Sequence, residues 1–169
     1  YGRTKVQAEK IVMSYSNSIG FRLATVFGYS YRMRTDLLVN NFVFKSLNEK
    51  KLTLYEPHFR RNYIHVDDVV DGIVYSIKYF MHLRTNVYNL GLSSANLTKY
   101  MLAKKIKDKI KHLKIKIVQN KKDPDQRDYY VSNRKIEKKG FKARVSIEEG
   151  ISELIQVFTH SKEKIINNY

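Results

Sequence analysis

The segment RNYIHVDDVVDG (Arg61–Gly72) changes its period midway, and VYNLG (Val87–Gly91) follows about twenty residues later. Asn62–Val66 is β-branched and aromatic, which predicts a strand. Asp67 and Asp68 then stand where a helix N-cap belongs. Val69, Val70, Ile73, Val74 and Ile77 recur at helical spacing and form one apolar stripe. Val87–Leu90 reads as a second strand, stopped by Gly91. Strand, helix and strand in succession argue for α/β or α+β packing.

The pattern extends outward in both directions. Downstream, Thr98–Lys111 is helical, Lys114–Val118 is a strand, and a short helix from Ser132 to Lys139 stops at Gly140. The last helix opens on Ser146 and Glu149, the spacing of a capping box. Upstream, Leu52–Tyr55 is a short strand and Asp36–Leu47 a helix. Phe21–Gly28 (FRLATVFG) suits a buried strand. Tyr1–Ser16 spaces Val6, Ile11, Val12 and Tyr15 as a helix would, ending at Gly20. With two prolines, Pro57 and Pro124, and no Gly/Ser-rich linker, residues 1–169 read as one unit.

Composition narrows the setting. No run of about 18 apolar residues marks a membrane span, and no signal peptide opens the chain. The sequence holds no cysteine, so disulfide and thiolate chemistry are excluded, and a cytoplasmic protein is expected. The net charge of +16 raises nucleic acid or a membrane surface as partners. Its lysines, however, cluster at Lys104–Lys122 and Lys135–Lys142. In the first cluster they interleave with Ile106, Ile110, Leu113 and Ile115, as on the solvated face of an amphipathic helix. Neither nucleic acid nor a membrane is expected as a partner. His58, His65, His82, His112 and His160 show no metal-ligand spacing, so no metal is expected. His65, inside an apolar strand, reads as a hydrogen-bonded core residue.

At the amino terminus Tyr1 and Lys5 lie four apart, on one face of a helix. A free tyrosine, with a pKa of about 10, is a poor base at neutral pH. An adjacent ammonium favours the phenolate and lets it take a hydroxyl proton. A surface pair of this spacing also arises by chance.

The order of YGRTKVQAE (Tyr1–Glu9), RLATVFG (Arg22–Gly28), RNYIHVDDVVDG, VYNLG and DPDQRDYYV (Asp123–Val131) resembles the extended short-chain dehydrogenase/reductase family. Within it, the chain is similar to the carboxy-terminal half of NAD-dependent nucleotide-sugar epimerases and dehydratases. The resemblance implies an α/β fold: the carboxy-terminal part of a Rossmann-type parallel-sheet subunit, interleaved with a smaller substrate-binding domain. It implies Tyr1 as acid/base, with Lys5 lowering its pKa and holding the nicotinamide ribose of NAD or NADP. It places Phe27 in the strand that passes under the nicotinamide. It assigns Arg61 and Arg127 to the phosphates of a nucleotide-diphosphate sugar, with Arg60 as a rival to Arg61, and Asn40 and Tyr55 to further substrate contacts. Asp125 and Asp128 are possible partners for Arg127.

Two departures stand out: Thr25 where many relatives have asparagine, and Tyr29 where they have proline. No GxGxxG or GxxGxxG occurs, so the half that cradles the cofactor is expected to be absent from these residues and the fragment inactive alone. The expected reaction is epimerisation or dehydration through a transient keto-sugar, in a protein that forms a homodimer at full length. A nucleotide-sugar reductase and a non-catalytic sugar-nucleotide or polyanion-binding module are the alternatives.

Overall fold

The computed structural model describes residues 1–119, 122 and 126–160. Helix α1 (Gly2–Met13) leads into β1 (Ile19–Leu23) and β2 (Thr25–Phe27). Then come α2 (Leu38–Asn48), β3 (Lys51–Tyr55), β4 (Arg60–His65), α3 (Val66–Lys78) and the single turn α4 (Phe80–Leu83). β5 (Asn86–Leu90) and β6 (Asn96–Thr98) precede α5 (Lys99–Lys109) and β7 (Lys114–Val118). The short α6 (Arg134–Glu137) and α7 (Ile147–His160) complete the described chain.

The fold is α/β with mainly parallel pairing. β1 pairs with β5, β2 with β4 and β3 with β7, all parallel, while β6 joins β4 antiparallel. β4 divides two cores, because successive side chains of a strand point to opposite faces. Tyr63 enters the larger core, built with Phe42, Leu54, Leu102, Ile106 and Leu154. Ile64 enters the smaller one, with Val69, Tyr88, Leu90 and Phe141. The α5 lysines 104, 107 and 109 are exposed, as the interleaved pattern predicts.

Three local expectations are corrected. The Phe21–Gly28 strand is two strands broken at Ala24, whose N–H bonds the Leu90 carbonyl, so that β1 and β2 find different partners. The first helix ends at Met13, and Gly20 lies inside β1, where an added Cβ would stand 3.1 Å from Val87. α3 is capped by His65, whose side chain accepts from the Asp67 N–H, and not by an aspartate. Asp68 instead accepts from the N–H groups of Arg144 (2.8 Å) and Val145 (2.9 Å), fixing the approach to α7.

The α3 stripe is helical, as its spacing predicts. Only Val69 of it is buried; Val70, Ile73, Val74 and Ile77 face outward. The face turned to the sheet carries Asp68, Val69, Gly72 and Ser76. Gly72 sits so close to Leu90 that a Cβ would lie 3.0 Å from it, so the helix approaches on its small residues. The capping box forms as expected: Glu149 accepts from the Ser146 N–H at 2.7 Å, and Ser146 Oγ accepts from the Glu149 N–H at 3.2 Å.

Candidate active site

α1 carries Tyr1 at its N-cap, and the Tyr1 carbonyl accepts from the Lys5 N–H. One helical turn brings the Lys5 ammonium to 5.4 Å from the centre of the Tyr1 ring. The pair is on the surface, Tyr1 being 91% exposed. A trough of about 530 Å³ runs between α1 and β1, lined by Tyr1, Lys5, Glu9, Val12, Phe21 and Leu23 among others. Arg22 ties the two elements together with a two-pronged pair to Glu9 at 2.6 and 2.7 Å. That bond holds the Glu9 carboxyl below the usual carboxylate range. Among the described residues β1 is hydrogen-bonded along one edge only, to β5.

Two residues along the same strand path, Thr25 opens a second cavity of about 270 Å³. Arg61 from β4, Lys99 from the start of α5, Arg127 and Asp36 also line it. Arg61 is 2% exposed, and its guanidinium lies 5.3 Å from the centre of the Tyr129 ring. The segment that brings Arg127 and Tyr129 is strapped to β4: Arg60 N–H donates to Asp128 at 2.7 Å, and Tyr129 N–H to the Arg60 carbonyl. Asn96 holds it further along, by both backbone groups of Val131. Three cations thus meet one cavity, a donor set suited to phosphate oxygens. Between the two arginines, the exposed Arg60 is turned out and the buried Arg61 lines the site. Asp128 is spoken for by β4, whereas Asp125 lies outside the described residues.

The remaining candidates sit apart from the cavity lining. Asn40 is buried, accepts from the Gly28 N–H at 3.1 Å and donates to the Arg34 carbonyl at 3.0 Å. It therefore holds the Gly28–Arg34 loop. Phe27 is in the core, edge-on to His65. Tyr55 is half-buried, and its carbonyl accepts from the Lys99 ammonium at 3.1 Å.

His65 uses both ring nitrogens. Nδ1 accepts from Asp67 N–H, which leaves Nε2–H to donate to Glu153 at 2.8 Å. Glu153 also accepts from Tyr29 N–H, so one carboxylate joins α7 to the ends of β2 and β4. His65, Asp67 and Glu153 bring their donor atoms within 4.8 Å of one another. His65 and Glu153 are joined by their hydrogen bond, and Asp67 Oδ2 lies 3.6 Å from His65 Nδ1.

Sequence reasoning missed Lys99 and Glu153. Lys99 had a readable signal. It shares one helical face with Leu102, Ala103 and Ile106, and a lysine on the apolar face of a helix is out of place unless that face meets a polar site. Glu153 had none, because only the fold brings it to a histidine 88 positions away.

Parallel strands interleaved with helices, with a tyrosine–lysine pair and a cation-lined cavity along one strand path, define an α/β protein of the Rossmann type. The chain belongs to the NAD dependent epimerase/dehydratase family, whose model matches residues 1–91, more than half of it. It is 26% identical over 174 residues to a trifunctional UDP-glucose 4,6-dehydratase/UDP-4-keto-6-deoxy-D-glucose 3,5-epimerase/UDP-4-keto-L-rhamnose-reductase of Arabidopsis thaliana, covering 96% of this chain and 25% of that protein. It is 30% identical over 173 residues to an uncharacterized protein of Methanocaldococcus jannaschii, covering 98% and 52%.

Among solved structures, dTDP-glucose 4,6-dehydratase from Bacillus anthracis in complex with NAD superposes with a TM-score of 0.81 at 22% identity, over 100% of this chain and 55% of that one. UDP-glucose 4-epimerase from Thermotoga maritima with UDP-glucose gives 0.76 at 21% identity, over 95% and 52%. These two likenesses concern the fold. The chain spans between a quarter and a half of the length of its curated relatives. No helix of the described residues is long and apolar enough to cross a membrane.

Proposed function

We propose that these residues are the acid/base and substrate-gripping part of an enzyme that epimerises or dehydrates a nucleotide-diphosphate sugar through a transient keto-sugar. The observation that carries the reading is the buried Arg61, facing the same cavity as Arg127 and Lys99. A guanidinium fork suits phosphate oxygens, and a nucleotide-diphosphate sugar carries two phosphates. Family membership adds the class of reaction.

Tyr1, as phenolate, takes the proton from the sugar hydroxyl that is oxidised, and returns it when the carbonyl is reduced. Lys5 stands over its ring, its ammonium 5.4 Å from the ring centre. Both residues fit NAD at the ribose beside the nicotinamide, because they share one exposed face at the mouth of the trough. NAD, when bound, supplies the hydride acceptor. The rest of the cradle is assigned to a dinucleotide-binding half that completes the open edge of β1. The half-length match to relatives and the outward apolar residues Val6, Ile11 and Val12 of α1 support that assignment. The same α1 residues suit the helix-to-helix contact of a homodimer. Localisation in the cytoplasm is proposed with it.

The test uses the intact protein against a panel of nucleotide sugars, following cofactor reduction and product stereochemistry. Tyr1→Phe is expected to lower kcat by about 10²–10⁴-fold with little change in KM. Normal turnover by the Phe variant overturns the acid/base assignment. A net requirement for reduced cofactor identifies the reductase reading instead, which the reductase activity named for the Arabidopsis relative keeps open.

A further inference from the structure

α1 is held to the rest of the chain with little packing. None of its 12 residues is buried, and its apolar Val6, Ile11 and Val12 are exposed. At its carboxy-terminal end Met13 reaches Gly20, where an added Cβ would stand 3.4 Å from the Met13 sulfur. Toward its amino-terminal end the trough of about 530 Å³ separates it from β1, and Tyr1, Lys5 and Glu9 line that trough from successive turns of one face. Arg22, two positions beyond Gly20 and so on the same side of β1, spans the gap. Its Nε donates to Glu9 at 2.7 Å and its Nη2 at 2.6 Å. Among the described residues this is the one ion pair or side-chain hydrogen bond that joins α1 to a strand. With the two side chains 62% and 28% exposed, the pair adds little to stability. Its geometry matters more, because a two-pronged guanidinium–carboxylate contact fixes direction as well as distance. The helix it holds has no buried side chain to fix either.

We infer that Arg22 and Glu9 are positioning residues of the reaction: their pair sets the standoff of α1 from β1, and with it the place of the Tyr1 hydroxyl at the mouth of the trough. The inference rests on the acid/base reading of Tyr1 above. Glu9 lies about two turns from Tyr1, with Lys5 between them on the same face, so a change of helix tilt at Glu9 is carried to both. A misplacement of about 1 Å at a reacting group can cost on the order of a hundredfold in rate. Arg61, Asn40 and Tyr55, proposed for substrate contact, stand on β4, α2 and β3, so substrate binding is not tied to this pair.

The test measures kcat and KM of the intact protein on the nucleotide sugar it turns over best, for wild type, Arg22→Met, Tyr1→Phe and the double variant, with Tm recorded for each. Arg22→Met is expected to lower kcat about tenfold with KM unchanged, and to leave Tm within about 2 °C of wild type. In the Tyr1→Phe background the same change should cost nothing further, because residues that act through one group are not additive. An unchanged kcat in Arg22→Met overturns the inference. So does an equal fractional loss in both backgrounds, which marks the pair as a structural tie; the acid/base reading survives either result. Normal turnover by Tyr1→Phe, or no turnover of any nucleotide sugar by the wild type, overturns the acid/base reading and this inference with it. Should Arg22→Met fail to fold, Glu9→Gln removes the charge while keeping the side-chain shape, and the same comparison is made with it.

Discussion

Helix α2 and helix α1 have similar lengths and each spaces apolar residues at helical intervals, yet they end differently. α2 buries Val39, Asn40, Phe42, Val43 and Ser46, while α1 buries nothing. The outer face of α3 behaves like α1, with four apolar residues turned away from the protein. Part of the difference is composition, since α2 is the more apolar helix, and part is partners: α2 has α7 and α5 within this chain, whereas α1 lies on β1, a strand with an open edge among the described residues. The molecule thus has a closed region holding the cation-lined cavity and an open one holding the tyrosine–lysine pair. Amphipathicity tells that a face wants cover, and only the fold tells whether the cover is in hand.

The sharpest way to separate the regions is one substitution made in each. Gly28 has φ +112°, and an added Cβ would stand 2.4 Å from His65 Nε2. Gly28→Ala must strain the backbone and push His65 off Glu153, so a loss of about 3 kcal/mol is expected. In a chain of this size that lowers Tm by about 10 °C. Gly2→Ala places the same methyl in α1, where nothing lies within 4 Å, and should leave Tm unchanged or slightly raised. Thermal unfolding followed by circular dichroism compares the two. A similar Tm loss in both variants would break the distinction between the regions.

The two regions were also unequally legible. Element order and the α/β class follow from periodicity, because strand and helix spacings alternate cleanly along Arg61–Gly91. The resemblance assigned Arg61 to the substrate phosphates, and the structure places it in a cation-lined cavity. The α3 stripe was read as helical, as it is, but periodicity locates an apolar face and cannot tell which neighbour it meets. The close approach at Gly72 and the Asp68 bonds turned the other face inward. The division of labour between β1 and β2 was hidden too, since the break at Ala24 depends on a long-range bond to Leu90.

A smaller effect is expected where the closed region meets solvent. Lys105 on α5 donates to Glu148 on α7, and this bond, outweighing partial burial, holds the Glu148 carboxyl below the usual carboxylate range. A carboxyl depressed in the folded state stabilises it at pH values above its unfolded pKa of about 4.3, and that contribution fades as pH falls through the lower folded value. Glu148→Gln should therefore cost stability at pH 7 and match the wild type near pH 2. Half the side chain is exposed, so solvent screening limits the cost to about 0.5 kcal/mol. Urea unfolding at the two pH values measures it. A difference that persists undiminished at low pH would show that packing, and not charge, joins these helices.

The smallest expected effect is also the one that defines the open region. Ile73 lies mid-helix in α3, 44% exposed, between Val70 and Ile77, which are exposed as well. In the core, replacing an isoleucine with a small residue costs about 2–5 kcal/mol. At Ile73 little packing is lost inside this chain, so Ile73→Ser should change its unfolding free energy by no more than about 0.5 kcal/mol. The same substitution should also reduce self-association, since it breaks up a contiguous apolar patch. Sedimentation velocity alongside urea unfolding separates the two consequences. A folding cost near 2 kcal/mol would mean that the stripe is packed in the isolated chain and that the two regions are not distinct. Unchanged stability with reduced association would instead mark α3 as a face whose partner comes from outside these 169 residues.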